Sequence, residues 1–120
     1  MDKYSIDLSC LPFQRNLKNL KKKFPSVKDD VEKILTELEK GEPLGEPIPL
    51  INAPVYKVRV RNTDIPKGKS SGYRLIYKFD EEKRVITPLL IYFKGDKAEV
   101  FRKEIESALE SLEKSLFDEI

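Results

Sequence analysis

Residues 55–93 read VYKVRVRNTDIPKGKSSGYRLIYKFDEEKRVITPLLIYF. From Val55 to Arg61 apolar and cationic residues alternate: Tyr56, Val58 and Val60 share one side, Lys57, Arg59 and Arg61 the other. A period of two marks a strand with one face toward a core and one toward water. After the loop Asn62–Ser71, with Pro66, Gly68 and two lysines, alternation resumes over Gly72–Phe79. Tyr73, Leu75, Tyr77 and Phe79 take one face there; Arg74, Ile76 and Lys78 take the other. Asp80-Glu81-Glu82-Lys83 is a polar hairpin turn. Arg84–Phe93 is apolar on both faces, as a central strand should be. Pro88 removes a ladder donor inside that run and predicts a bulge or an unpaired position.

Upstream, Tyr4, Ile6 and Leu8 alternate with Ser5 and Asp7, which predicts a short strand. Ser9 is the expected cap of a following helix, with Pro12 in its first turn. Phe13, Leu17, Leu20 and Phe24 give that helix one apolar face, Lys18, Lys21, Lys22 and Lys23 load the rest, and Pro25 ends it. Ser26-Val27-Lys28-Asp29 predicts a second capped start, Val27, Val31, Ile34, Leu35 and Leu38 a second apolar stripe, and Gly41 its stop. Asp29/Asp30 read as helix start and Glu81/Glu82 as turn. Glu42–Pro54, with four prolines, reads as a surface connection. Downstream, Asp96-x-x-Glu99 signals a cap, and Ala98, Phe101, Ile105, Ala108, Leu109, Leu112 and Leu116 a long amphipathic helix. The expected order is β-α-α-β-β-β-α: an α+β domain, a helical hairpin on a small, mainly antiparallel sheet. It spans 1–120 as one domain, with 96–120 a C-terminal amphipathic helix.

The 120 residues suit one domain. No apolar run approaches the roughly 20 residues of a membrane span, and a secretory leader is not expected from MDKYSIDLSC. The chain has no histidine and one cysteine. That composition excludes imidazole catalysis, Cys-His nucleophiles and a multi-cysteine zinc site. Cys10 reads as a small buried hydrophobe. The five glycines never fall into a phosphate-loop spacing. Any chemistry must come from Lys, Arg, Tyr, Asp or Glu. Net charge is +2, yet Val55–Lys78 carries seven cations and one anion, a net of +6. Asp96–Ile120 carries four cations and eight anions, a net of −4. The basic centre suits a polyanionic partner, and the acidic tail raises the question of whether it folds over that centre.

Three groups of residues could carry chemistry. Lys57, Arg59 and Arg61 form a row some 13–14 Å long at about 3.3 Å per residue, which matches a nucleic-acid backbone as well as a solvated strand face. In Pro66-Lys67-Gly68-Lys69-Ser70-Ser71-Gly72-Tyr73-Arg74, small residues let backbone N–H groups face an anion, and Lys69 and Arg74 add charge. Arg74 begins an inward face, where an arginine needs a specific partner. Tyr92, Lys94 and Lys97 lie between the central strand and the last helix; Tyr92 could stack on a base or sit as a core tyrosine with a wet hydroxyl.

The Phe13-x3-Leu17 helix, the basic strand Val55–Val60, the segment Gly68-Lys69-Ser70-Ser71-Gly72-Tyr73-Arg74-Leu75-Ile76-Tyr77 and Ile91-Tyr92-Phe93-Lys94-Gly95-Asp96-Lys97 together resemble the RelE/ParE toxin superfamily, closest to its RelE/HigB-like branch. The likeness covers roughly Phe13 to Ala108. It implies a cytoplasmic toxin of a type II toxin–antitoxin pair, bound by its cognate antitoxin and reaching operator DNA only through that complex. RelE-like members cleave mRNA on the ribosome without metal or cofactor: the RNA 2′-hydroxyl attacks the adjacent phosphate and basic side chains assist. Carried onto this chain, the resemblance implies Arg74 as stabiliser of transition-state charge, Lys57 or Lys69 as base, and Tyr92 as orienting residue. Arg59, Arg61, Lys67, Lys94 and Lys97 would hold phosphates. Gly95, where relatives commonly have a polar residue, and the long acidic end depart from the pattern. A ParE-like topoisomerase inhibitor without nuclease chemistry, or a silenced relative that binds only antitoxin or operator, stay open.

Overall fold

The computed structural model describes residues 3–65, 72–97, 99–100 and 102–119, with side chains of the last helix described through Glu113. The elements are β1 (Ser5–Ile6), α1 (Leu11–Lys23), α2 (Val27–Leu38), β2 (Glu46–Pro47), β3 (Val55–Val60), β4 (Tyr73–Asp80), β5 (Val85–Phe93) and α3 (Arg102–Glu119). They form one five-stranded sheet in the order β1-β5-β4-β3-β2. β1 runs parallel to β5 and every other pairing is antiparallel. This is the expected α+β order with β2 added inside the proline-rich connection.

The meander forms as its alternation predicts. Val58, Val60, Tyr73, Leu75, Tyr77 and Ile91 are buried. Phe13, Phe24, Val27, Val31, Leu35 and Leu38 of the helical hairpin are buried with them in one core. Phe24 meets Tyr73 edge-on at 5.8 Å between centroids and Phe93 at 4.7 Å. α3 lies against β5 and α1. The register slips between Ile76 and Tyr77, where Ile76 faces Leu90 and Tyr77 faces Pro88. That is the irregularity Pro88 requires. Proline is tolerated here because β1 pairs only with Val85 and Ile86 and has ended before it.

Side chains of α1 complete the ladder where β1 stops. Asn16 Oδ1 accepts the Ile91 N–H at 3.1 Å, and Cys10 Sγ sits 3.6 Å from the Leu89 carbonyl oxygen. Cys10 is buried, and burial pushes its thiol up from the ordinary value, so it is the inert hydrophobe expected.

The helix starts differ from expectation. Neither Ser9 nor Ser26 caps through its hydroxyl: Cys10 occupies the first cap and Ser26 makes no side-chain cap bond. Instead, carboxylates take the backbone N–H groups of both serines, one from nearby and one from the turn after β3. Asp7 Oδ1 accepts the Ser9 N–H at 2.9 Å, and Asp64 Oδ2 accepts the Ser26 N–H at 2.8 Å. Asp30 is more than a helix-start acid. It is buried and accepts both the Thr63 N–H (3.0 Å) and the Thr63 hydroxyl (2.8 Å), clamping the turn after β3 to α2. α3 begins at Arg102 rather than near Asp96, because Lys94–Asp96 forms a turn and Asp96 pairs with Lys23 at 2.9 Å. Leu8, expected within the first strand, lies beyond β1 and is half exposed.

β2 is pinned from two sides. Gly45, at φ +86°, lies so close to β3 that a Cβ would overlap the Lys57 carbonyl oxygen. The Tyr77 hydroxyl accepts the Leu44 N–H at 2.7 Å and donates to the Leu44 carbonyl at 2.5 Å. Burial pushes the Tyr77 phenol up to about 12, and burial also raises Tyr73, helped by Asp30 and Asp64.

Two outcomes follow. Asn16→Ala leaves the buried Ile91 N–H without its acceptor and should cost about 1–3 kcal/mol, read as a lower urea midpoint at unchanged slope. The raised tyrosines stay protonated in the fold after the unfolded chain has begun to lose protons near pH 10. Their contribution is complete below that pH and is lost as pH rises through the folded values, so urea midpoints should fall progressively from pH 10 to about 12. Tyr77→Phe should flatten that fall; an unchanged pH profile in this variant would refute the linkage.

Candidate nucleic-acid interface

Pairing across three strands assembles the candidate site. Arg59 stands opposite Arg74, and Arg74 opposite Tyr92; next to them Lys57 stands opposite Ile76. All lie on the sheet face turned away from α1 and α2, because alternation assigns the other side to Val58, Val60, Tyr73 and Leu75. Lys57, Arg59 and Arg61 form the expected row beside Arg74. Arg59 and Arg61 are exposed, Lys57 is half-buried, and Arg74 is 8% exposed.

Arg74 is the unusual member. Its Nη1 donates to the Tyr73 carbonyl at 3.2 Å. No carboxylate forms an ion pair with it among the described residues. Burial pushes its guanidinium down from the ordinary arginine value, Arg59 pushes the same way, and Tyr92 opposes both. Arginine keeps its charge through such a shift, so a desolvated cation stands beside a second cation. Such a pair is relieved by an anion.

Tyr92 is buried, and burial raises its phenol; Arg74 lowers it, while Glu99 and Glu104 raise it further. It is therefore a protonated donor at neutral pH. Its buried ring leaves little surface for an open stacking platform. The hydroxyl has no hydrogen-bond partner among the described residues.

Lys94 is exposed in the turn after β5 and its N–H reaches the Gly72 carbonyl, which holds that turn beside Arg74's strand. Lys97 is engaged: its Nζ lies 2.7–2.9 Å from both oxygens of Glu104. Gly95 has a steric cause, since a Cβ there would overlap the Phe93 ring. Lys67 and Lys69, with the rest of Pro66–Ser71, lie outside the described residues. The acidic end does approach the basic centre, through Glu99 and Glu104 near Tyr92.

Two hollows flank the row. One, about 340 Å³, lies between α2 and β3 and includes Lys33, Arg59 and Arg61. The other, about 180 Å³, is lined by Lys57, Ile76 and Tyr92 together with Glu46 and Glu99. Glu46 and Glu99 have no sequence signal of a site; they are brought there by the pinned β2 and by the segment before α3. Among the described residues no three His, Cys, Asp or Glu stand together as a metal site, and no helix is long and apolar enough to cross a membrane.

Fold and site together define a small α+β domain with a cationic sheet face around one buried arginine. Among solved structures it is similar to a double arginine-to-alanine mutant of the E. coli toxin RelE in the free state, with TM-score 0.55 and 23% identity, covering 88% of this chain and 93% of that one. The chain thus has a RelE-like fold. No family model and no curated protein matches it.

If the row holds a single RNA strand through Lys57, Arg59, Arg61 and Arg74, the affinity should fall with a log–log salt slope of roughly −3, at about 0.7 per phosphate contact. Arg59→Ala should reduce the slope by about 0.7. A slope near zero, measured by fluorescence anisotropy with a labelled oligonucleotide, would exclude backbone binding by this face.

Proposed function

We propose that this chain is the toxin of a type II toxin–antitoxin pair and cleaves mRNA on the ribosome without a metal. The observation that carries the reading is Arg74, buried between Arg59 and Tyr92 without a carboxylate ion pair among the described residues. The RelE-like fold supports it, since the neighbour is itself a toxin.

A phosphate placed over Arg74 would gain a preorganised guanidinium that need not be desolvated during the reaction. As the 2′-hydroxyl attacks, its proton passes to the base, the bond from phosphorus to the 5′-oxygen breaks to leave a 2′,3′-cyclic phosphate, and the departing 5′-oxygen takes up a proton from a basic side chain or water; the negative charge that grows on the non-bridging oxygens meanwhile faces Arg74 and Arg59. Tyr92, held protonated by burial, donates a hydrogen bond toward the phosphate rather than taking a proton. Lys57, the half-buried member of the row, is the candidate base among the described residues, and Lys69 is the other candidate. Arg61 along the strand and Lys94 in the turn after β5 extend the positive surface, with Lys67 a further phosphate contact and Lys97 paired with Glu104. A cognate antitoxin would cover this face, the ribosome would present the mRNA, and the setting would be the cytoplasm.

Expression of the chain in cells with mapping of mRNA 5′ ends tests the reading. Wild type should arrest growth and leave in-frame cuts inside translated codons. Arg74→Ala should reduce the cuts by about 100-fold or more while keeping its circular dichroism and thermal transition. Arrest with intact mRNA would replace the nuclease by a topoisomerase inhibitor. Neither arrest nor cuts would leave a silenced relative.

A further inference from the structure

We propose that the slot between β2, β5 and the start of α3 is a nucleobase pocket that selects guanine. The assignment rests on the RNA reading of the adjacent cationic row. At about 180 Å³ the slot is smaller than the roughly 300–1,000 Å³ of drug-sized sites, and suits a single ring system. Its apolar lining is Pro47, Ile48 and Val100, which keep accessible surface, together with the buried Ile76, Ile105 and Tyr92. Apolar surfaces of this kind take the face of a planar base. Lys57 and Tyr92 line the slot while also belonging to the surroundings of Arg74. A nucleotide whose phosphate lies on Arg74 can therefore turn its base inward.

The rim makes the selection. Glu46 and Glu99 are exposed at the slot, and neither has a hydrogen-bond or ion-pair partner among the described residues. Carboxylates beside a phosphate-binding row oppose its purpose unless they read something other than phosphate. A carboxylate only accepts, through two oxygens that match a pair of parallel N–H donors. Guanine alone among the RNA bases presents two adjacent donors, N1–H and the 2-amino group. Adenine and cytosine place an amino group next to a bare ring nitrogen, and uracil places one N–H between two carbonyls. Each of these three would turn at least one acceptor toward a carboxylate, a mismatch that rejects it. Glu46 is held for this task by the close approach of Gly45 to β3 and by the Tyr77–Leu44 hydrogen bonds.

The test is titration of the full chain with the four ribonucleoside 5′-monophosphates, followed by NMR on the Val100 and Ile105 methyls. GMP should shift these methyls and bind at least tenfold more tightly than AMP, CMP or UMP. In E46Q/E99Q, two exposed positions where folding is not at stake, the preference should shrink to within twofold. Equal affinities, methyls that no nucleotide shifts, or a GMP preference that survives in E46Q/E99Q would each overturn the pocket. All four probes share ribose and phosphate, so their ratio reports the slot and not the row. A chain that keeps the ratio but never cuts mRNA loses the nuclease reading alone; a chain that cuts mRNA with equal affinities loses the pocket alone.

Discussion

Hydrogen bonding between β3, β4 and β5 sets Arg59 opposite Arg74 and Arg74 opposite Tyr92. A slip of one residue in either pairing would send Arg74 among the aromatic rings and Tyr73 to the outside. The opposite face prevents that slip. Tyr73, Leu75 and Tyr77 are fully buried there, and the helical hairpin closes over that side of the sheet. The core thus enforces the site: apolar burial on one face aligns the charges on the other.

The sheet is short of strand at both ends, and each shortage is met by a different device. On the β5 side, β1 contributes only two residues, and Asn16 and Cys10 from α1 take over its hydrogen bonds. On the β3 side, β2 is equally short, and Gly45 and Tyr77 hold it in place. Buried backbone groups need partners, and these substitutes supply them without a longer strand. The second device also shapes the slot, since β2 carries Glu46 to its rim.

The face itself is electrostatically uneven. Arg74 bears a desolvation cost and the repulsion of Arg59, with a backbone carbonyl as its one hydrogen-bond partner among the described residues. Stability alone gives no reason to keep it, because an apolar residue of similar volume would serve a buried position as well. Glu99 and Glu104 bring negative charge to the margin near Tyr92, and Glu104 holds Lys97. These two carboxylates lower the positive field on that side. Arg59 and Arg61 stay exposed on the other.

Much of this was legible in the residues alone. Period-two alternation marked β3 and β4, a double-sided apolar run marked β5, and spacing of three and four marked α1 and α2. The same alternation placed Lys57, Arg59 and Arg61 on one side, and singled out Arg74 for beginning an inward face. The misreadings share one cause. Ser26 and Asp96 look like local caps from their near neighbours, whereas the fold chooses their partners: Asp64 reaches Ser26 and Lys23 reaches Asp96. Glu46 and Glu99 carried no signal, since nothing local distinguishes a carboxylate at a slot from one in water. Which residues share a side of each element can be read locally, because it follows from backbone geometry within a few residues. Which sides meet, and which polar groups find each other, emerges in the folded molecule alone, because strand register and long-range hydrogen bonds are set by the burial of the whole core at once.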